Sequence, residues 1–173
     1  MISQKTLVFT CIVVVILSTS IILFFLFTER ITKKEDELIH MNYHTNILTE
    51  TKNNTDYRRV LFTGTKSQLV VMSIPPGGDI GTETHIYTEQ TLFFLSGTGT
   101  AILNDERFPV GPGDVFVITP GTKHEFINTG TEDLKIYTVY TPPNHIDGRI
   151  HKTKADADRD VADEAVGKTP PVK

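Results

Sequence analysis

The chain has 173 residues, enough for one folded domain of ordinary size. Its formal net charge is -4, and residues 56–150 carry 7 Lys/Arg against 11 Asp/Glu, which argues against a nucleic-acid partner. With a single cysteine, Cys11, there is no intrachain disulfide.

In chain order the first element is apolar. Leu7 to Phe27 is 21 residues without a charge. At about 1.5 Å per residue it would span roughly 30 Å, the hydrocarbon thickness of a bilayer. The sequence therefore predicts a single-pass transmembrane anchor within residues 1–28. A cleaved signal peptide is the competing reading, but its apolar core runs about 7–15 residues and ends in small residues. Here the run ends in Phe24-Phe25-Leu26-Phe27. Lys5 precedes the span while Arg30, Lys33 and Lys34 follow it, which favours the cytoplasmic side for the rest of the chain. Residues 29–55 read as a polar stalk, a solvated spacer of charged, Asn and Thr residues. Residues 151–173 read as a flexible charged tail, too poor in apolar surface to fold alone.

Between stalk and tail, residues 56–150 change character. Short β-prone runs alternate with turn residues: Arg58–Thr63, Ser67–Ile74, Thr82–Tyr87, Thr91–Leu95, Thr100–Leu103, Arg107–Val110, Asp114–Ile118, His124–Asn128 and Leu134–Thr141. Pro75-Pro76-Gly77-Gly78, Asn104-Asp105, Gly111-Pro112-Gly113 and Pro120-Gly121 punctuate them. This rhythm predicts an all-β sandwich or barrel.

Two segments carry polar chemistry into that barrel. Glu83 and His85 are two apart, and residues two apart on a strand share a face. Gln90 heads the next apolar run, and His124 lies in the segment Gly113–Asn128. Two imidazoles, a carboxylate and an amide oxygen in one pocket suit a divalent transition metal. Glu89 is a rival for the place given to Gln90. The same strand alternation lines the pocket with Tyr87, Leu92, Phe94, Val117 and Phe126. His145 follows the last strand, near the barrel mouth. The bland alternative is a metal-free pocket in which His124 is a satisfied barrel histidine and Gln90 bonds to it. Glu83 resists that reading, because an ionised carboxylate facing a barrel interior is costly unless paired or metal-bound.

The two segments resemble the paired motifs of the cupin superfamily. Gly77 opens the first motif, Glu83 and His85 occupy its two histidine places, Gln90 its glutamate place, and Gly97 closes it after six residues. Gly113, Pro120-Gly121, His124 and Asn128 form the second, with Thr119 where proline is usual. The resemblance covers Arg58 to Arg149. It implies an all-β cupin double-stranded β-helix, a jelly-roll barrel, here preceded by the transmembrane helix. It also implies a metal site on Glu83, His85, Gln90 and His124, with Mn, Fe, Ni, Co or Zn as the ion. Glu83 adds the charge that Gln90 removes, so the set keeps a formal charge of about -1. The family includes dioxygenases and sugar-phosphate isomerases. The reading is a membrane-anchored metalloenzyme acting on a small molecule; the alternative is a non-catalytic small-ligand-binding or sensing module. Cupins commonly pair through their sheets, so a homodimer is expected in either case.

Overall fold

The computed structural model describes residues 20–30 and 42–170 and divides into two units, Met1–His44 and Thr45–Lys173. In the first, residues 20–30 form helix α1. The anchor expected over Leu7–Phe27 is corrected accordingly. Among the described residues no helix is long and apolar enough to cross a membrane. Residues 7–19 of that run lie outside the described residues. The single-pass localisation, and the choice of a cytoplasmic side that depended on it, lose their support. The expectation rests on the hydropathy and length of the run alone.

Among its described residues the second unit has ten strands: β1 (Arg58–Thr63), β2 (Gln68–Ile74), β3 (Glu83–Thr84), β4 (Glu89–Ser96), β5 (Gly99–Leu103), β6 (Glu106–Val110), β7 (Val115–Ile118), β8 (Lys123–Asn128), β9 (Leu134–Thr141) and β10 (Ile150–His151). They make a six-stranded sheet in the order β10-β1-β2-β9-β4-β7 and a four-stranded sheet in the order β3-β8-β5-β6. Alternating burial marks the inward faces: every second residue of β9, from Leu134 to Tyr140, is buried. Asn104 and Asp105, with φ of 47° and 72°, make the two-residue turn between β5 and β6, where left-handed residues match the twist of a hairpin. Gly97 has φ of 84°, and a Cβ there would lie 2.6 Å from the Asp133 carbonyl oxygen. The core lies between the sheets. Phe94 from the large sheet packs on Phe126 from the small one, and Phe116 meets both edge-on, with ring centroids 5.3–5.7 Å apart.

Two of the expected pocket-lining residues point elsewhere. Val117 is 57% exposed, because β7 pairs with β4 so that Phe116 stands opposite Leu92 and Val117 opposite Thr91. Directly paired residues share a face, so the inward set of β7 is Phe116 and Ile118. A one-residue error of phase moves the whole set across the sheet. Tyr87 is exposed because β3 ends at Thr84 and the chain bends before β4. Leu92, Phe94 and Phe126 are buried core residues.

The barrel unit is longer at both ends than the sequence reading drew it. Asn46 caps helix α2 (Ile47–Asn53), whose Thr51 is fully buried, and the Lys135 ammonium donates to the Asn54 carbonyl at 2.7 Å. The fold thus takes in residues from Thr45 that were expected in the stalk. At the other end Thr153 and Asp156 form a capping box for α3 (Lys154–Arg159), and Asp160 caps α4 (Val161–Gly167). The expected flexible tail packs here instead. Its anchor is electrostatic, with Asp163 1% exposed and paired with Arg58 of β1 at 3.0 Å.

Candidate metal centre and adjoining cavity

Four polar side chains meet where the two sheets face each other. Register pairs Glu83 of β3 directly with His124 of β8. From the large sheet, Gln90 of β4 stands beside Tyr140 of β9 and donates its amide N–H to the Tyr140 hydroxyl at 3.0 Å. His85 comes from the bend after β3, where its carbonyl accepts from the Gly121 N–H at 2.8 Å. Glu89 is exposed and faces away, so Gln90 takes the inward place.

The distances are short. The Glu83 Oε2 lies 3.4 Å from His85 Nε2 and 3.8 Å from His124 Nε2. Gln90 Oε1 lies 3.2 Å from His124 Nε2. The ligand atoms of Glu83, His85 and His124 all fall within 4.8 Å of one another. Ligands about 2.1 Å from a shared ion stand about 3.0–3.4 Å from each other, so this spacing is close to what an ion needs.

Proton placement sharpens the geometry. His124 Nδ1 sits 2.9 Å from the Thr122 carbonyl oxygen, which can only accept, so Nδ1 carries the proton. Burial lowers the His124 pKa, against the opposing pull of the Thr122 carbonyl and Glu83, so the ring is neutral and Nε2 holds a lone pair. Burial pushes the Glu83 carboxyl up, but His85, Arg58 and His124 outweigh it, and its pKa falls below the usual value. The Glu83 carboxylate is therefore ionised. His124 Nε2 then faces Gln90 Oε1 and Glu83 Oε2 at 3.2 and 3.8 Å. His85 Nε2 is buried without a hydrogen-bond partner among the described residues. It lies 3.4 Å from Glu83 Oε2 without the geometry of a well-directed hydrogen bond. A donor set of this kind fits a cation. Burial and the Glu83 charge raise the Tyr140 pKa, so its phenol stays protonated beside Gln90.

Glu83 and His85 line a cavity of about 500 Å³ together with Tyr57, Arg58, Ile80, His145 and residues of the C-terminal helices. None of Tyr87, Leu92, Phe94, Val117 and Phe126 lines this cavity. Arg58, Asn144 and Asp163 carry no local motif, so the sequence reading passed over them. The nearest signal was His145 lying just past the last strand.

Asn128, the last residue of the second motif, does not reach the site. Its buried amide donates to the carbonyls of Ile74 and Glu132 and accepts from the Gly130 N–H, tying β8 to two turns.

A cupin-domain family model matches residues 70–140. The crystal structure of BH2720 from Bacillus halodurans superposes with a TM-score of 0.66 and 38% identity, over 67% of this chain and 92% of that one. The chain belongs to the cupin superfamily. An uncharacterised protein of Bacillus subtilis, YrkC, is 41% identical over 119 residues, which are 65% of this chain and 63% of that protein. The chain thus spans less than two thirds of that relative. A shorter stretch of 60 residues is 38% identical to a 5-aminosalicylate 1,2-dioxygenase of Comamonas sp., covering 34% of this chain and 16% of that enzyme.

Proposed function

We propose that the barrel holds a divalent transition metal on Glu83, His85, Gln90 and His124 and acts on a small molecule, with dioxygenase-like chemistry favoured over isomerase-like chemistry. One observation carries the reading: Gln90 Oε1 and Glu83 Oε2 converge on His124 Nε2, at 3.2 and 3.8 Å, while His124 Nδ1 is tied to the Thr122 carbonyl. A metal there would supply Lewis acidity and an open position for a ligand oxygen. The chain's own residues prepare the place. The Thr122 carbonyl fixes the tautomer and tilt of His124, and Tyr140 aims the Gln90 amide so that its oxygen faces inward. Glu83 provides the single negative charge.

The shared stretch with a 5-aminosalicylate 1,2-dioxygenase supports an aromatic hydroxy acid as the substrate class. A cavity of about 500 Å³ is of the size that encloses such a compound. The homodimer reading is supported by the outer face of the large sheet, where Phe93 and Tyr137 stack at 4.7 Å beside exposed Val115 and Val117.

Cobalt titration followed by visible absorbance tests the metal. We expect an endpoint at one equivalent with the full chain and no such spectrum with Glu83→Ala or His124→Ala. An unchanged spectrum in both variants would remove these residues from the site. Oxygen uptake by the metal-loaded chain with 5-aminosalicylate tests the chemistry. Tight binding without uptake would make the barrel a binding module instead.

A further inference from the structure

Helices α3 and α4 are held to the barrel by polar contacts. No residue of α3 is buried, and the buried residue of α4 is Asp163. Ala157 packs half-buried against the core, while Val161 is 72% exposed. Asp163 accepts from Arg58 Nη2 at 3.0 Å, from His145 Nδ1 at 2.9 Å and from the Ile146 backbone N–H at 2.7 Å. Asp160 reaches His151 and Arg149 at 3.0 Å, and Lys154 Nζ stands 4.0 Å from Asp79.

Contacts of this kind dock an element weakly. Desolvation of Asp163 and its partners offsets much of their attraction, and exposed ion pairs contribute about 0–1 kcal/mol each. The strands between the sheets bury Leu92, Phe94 and Phe126, which contribute roughly 1.5–3 kcal/mol apiece. The helix pair therefore releases at lower cost than the core strands.

The pair also holds together without the barrel. Thr153 and Asp156 cap α3 from within, and Asp160 both ends α3 and caps α4. Its fixed end is β10, which pairs with β1, and the Lys152 carbonyl accepts from the Tyr57 N–H at 3.3 Å. Thr153 follows, exposed, with its hydroxyl bonded to Asp156 of the same helix. At the far end, a Cβ on Gly167 would lie 2.8 Å from Asn144 Cγ, so α4 closes tightly on the loop after β9. Lys154, Ala157, Asp158 and Glu164 line the same cavity as Glu83 and His85.

We propose that α3 and α4 form a hinged wall of this cavity, undocking as one body about Thr153 to admit a compact ligand and redocking over it. The kind of molecule admitted rests on the small-molecule reading of the cavity; the hinge does not.

Hydrogen exchange of the full chain, followed by mass spectrometry without ligand, tests the hinge. In the wild type under mild urea, α3 and α4 should share one opening, with exchange at least about 100-fold faster than in β9. A lock tests that the two helices move together: Cys11→Ser/Asn144→Cys/Gly167→Cys. The Cγ–Cβ bond adds about 1.5 Å, which puts the two Cβ atoms at most about 4.3 Å apart, within disulfide reach. Oxidation should slow exchange in α3 about tenfold or more, although the bond is made at the end of α4, and dithiothreitol should restore it. Helices that exchange at the β9 rate, separate openings for α3 and α4 in the wild type, or α3 exchange unchanged by the lock would each overturn the proposal. A shared opening together with no oxygen uptake on 5-aminosalicylate would sink the substrate reading alone.

Discussion

His124 and Asp163 are governed by the same rule: a partner that can only accept fixes where the proton goes. At His124 the Thr122 carbonyl frees Nε2 for the barrel interior. At Asp163 the carboxylate gathers Arg58, His145 and a backbone N–H. Burial pushes the Asp163 carboxyl up, but the His145 and Ile146 hydrogen bonds and the Arg58 charge hold it down at about 2. A carboxylate with a depressed folded pKa stabilises the fold above its unfolded value, near 3.9, and that stability is lost as pH falls towards the folded value. The shift corresponds to roughly 2 kcal/mol. Urea melts of wild type and Asp163→Asn should therefore differ at pH 6 by about 2–4 kcal/mol, and the difference should shrink between about pH 4 and pH 2. A gap that stays constant across that window would mean the Asp163 charge is not what stabilises the C-terminal helices. Glu83, His85, Gln90 and His124 were legible in the sequence as a polar cluster because they sit at fixed spacings inside two short segments. Arg58 and Asp163 were not, because 105 positions separate them and neither belongs to a local pattern.

At the level of elements, hydrophobic runs located the strands well, while phase and ends were harder to read. Val115 and Val117 look like core residues by type, yet the register with β4 turns Phe116 inward. The run Val115-Phe116-Val117-Ile118 is apolar throughout, so it carries no alternation from which to read the phase. The expected strand Thr82–Tyr87 shrinks to Glu83–Thr84, and His85 reaches the site from a bend rather than along a strand face. The difference has a measurable consequence. Phe126→Ala should cost about 3–5 kcal/mol, since its ring is fully buried against Phe94 and Phe116. Val117→Ser should cost under about 0.5 kcal/mol in the isolated chain. Denaturant melts of the two variants check both values, and comparable losses would put Val117 inside.

On the scale of the molecule, the cupin barrel needs its flanks. Helices α3 and α4 look like a soluble charged tail because their apolar content is low. They pack through caps and polar contacts instead, with Asp163 paired with Arg58 and with His151 and Arg149 both reaching Asp160 at 3.0 Å. Composition cannot reveal such an anchor, since its partners lie in other elements. The outer sheet face, with its stacked Phe93 and Tyr137, predicts self-association. Sedimentation of the full chain should give a dimer that Val115→Lys/Val117→Lys converts to monomer, while a wild-type monomer at micromolar concentration would contradict the pairing.

Elemental mass spectrometry decides whether Glu83, His85, Gln90 and His124 hold a metal. The untagged full chain would be measured beside His85→Ala/His124→Ala, as purified and after exposure to Mn, Fe, Co, Ni and Zn followed by desalting. We expect about one transition-metal ion per chain in the wild type and its loss in the double variant. No metal in the wild type under any of these conditions, or equal metal in both proteins, would contradict it.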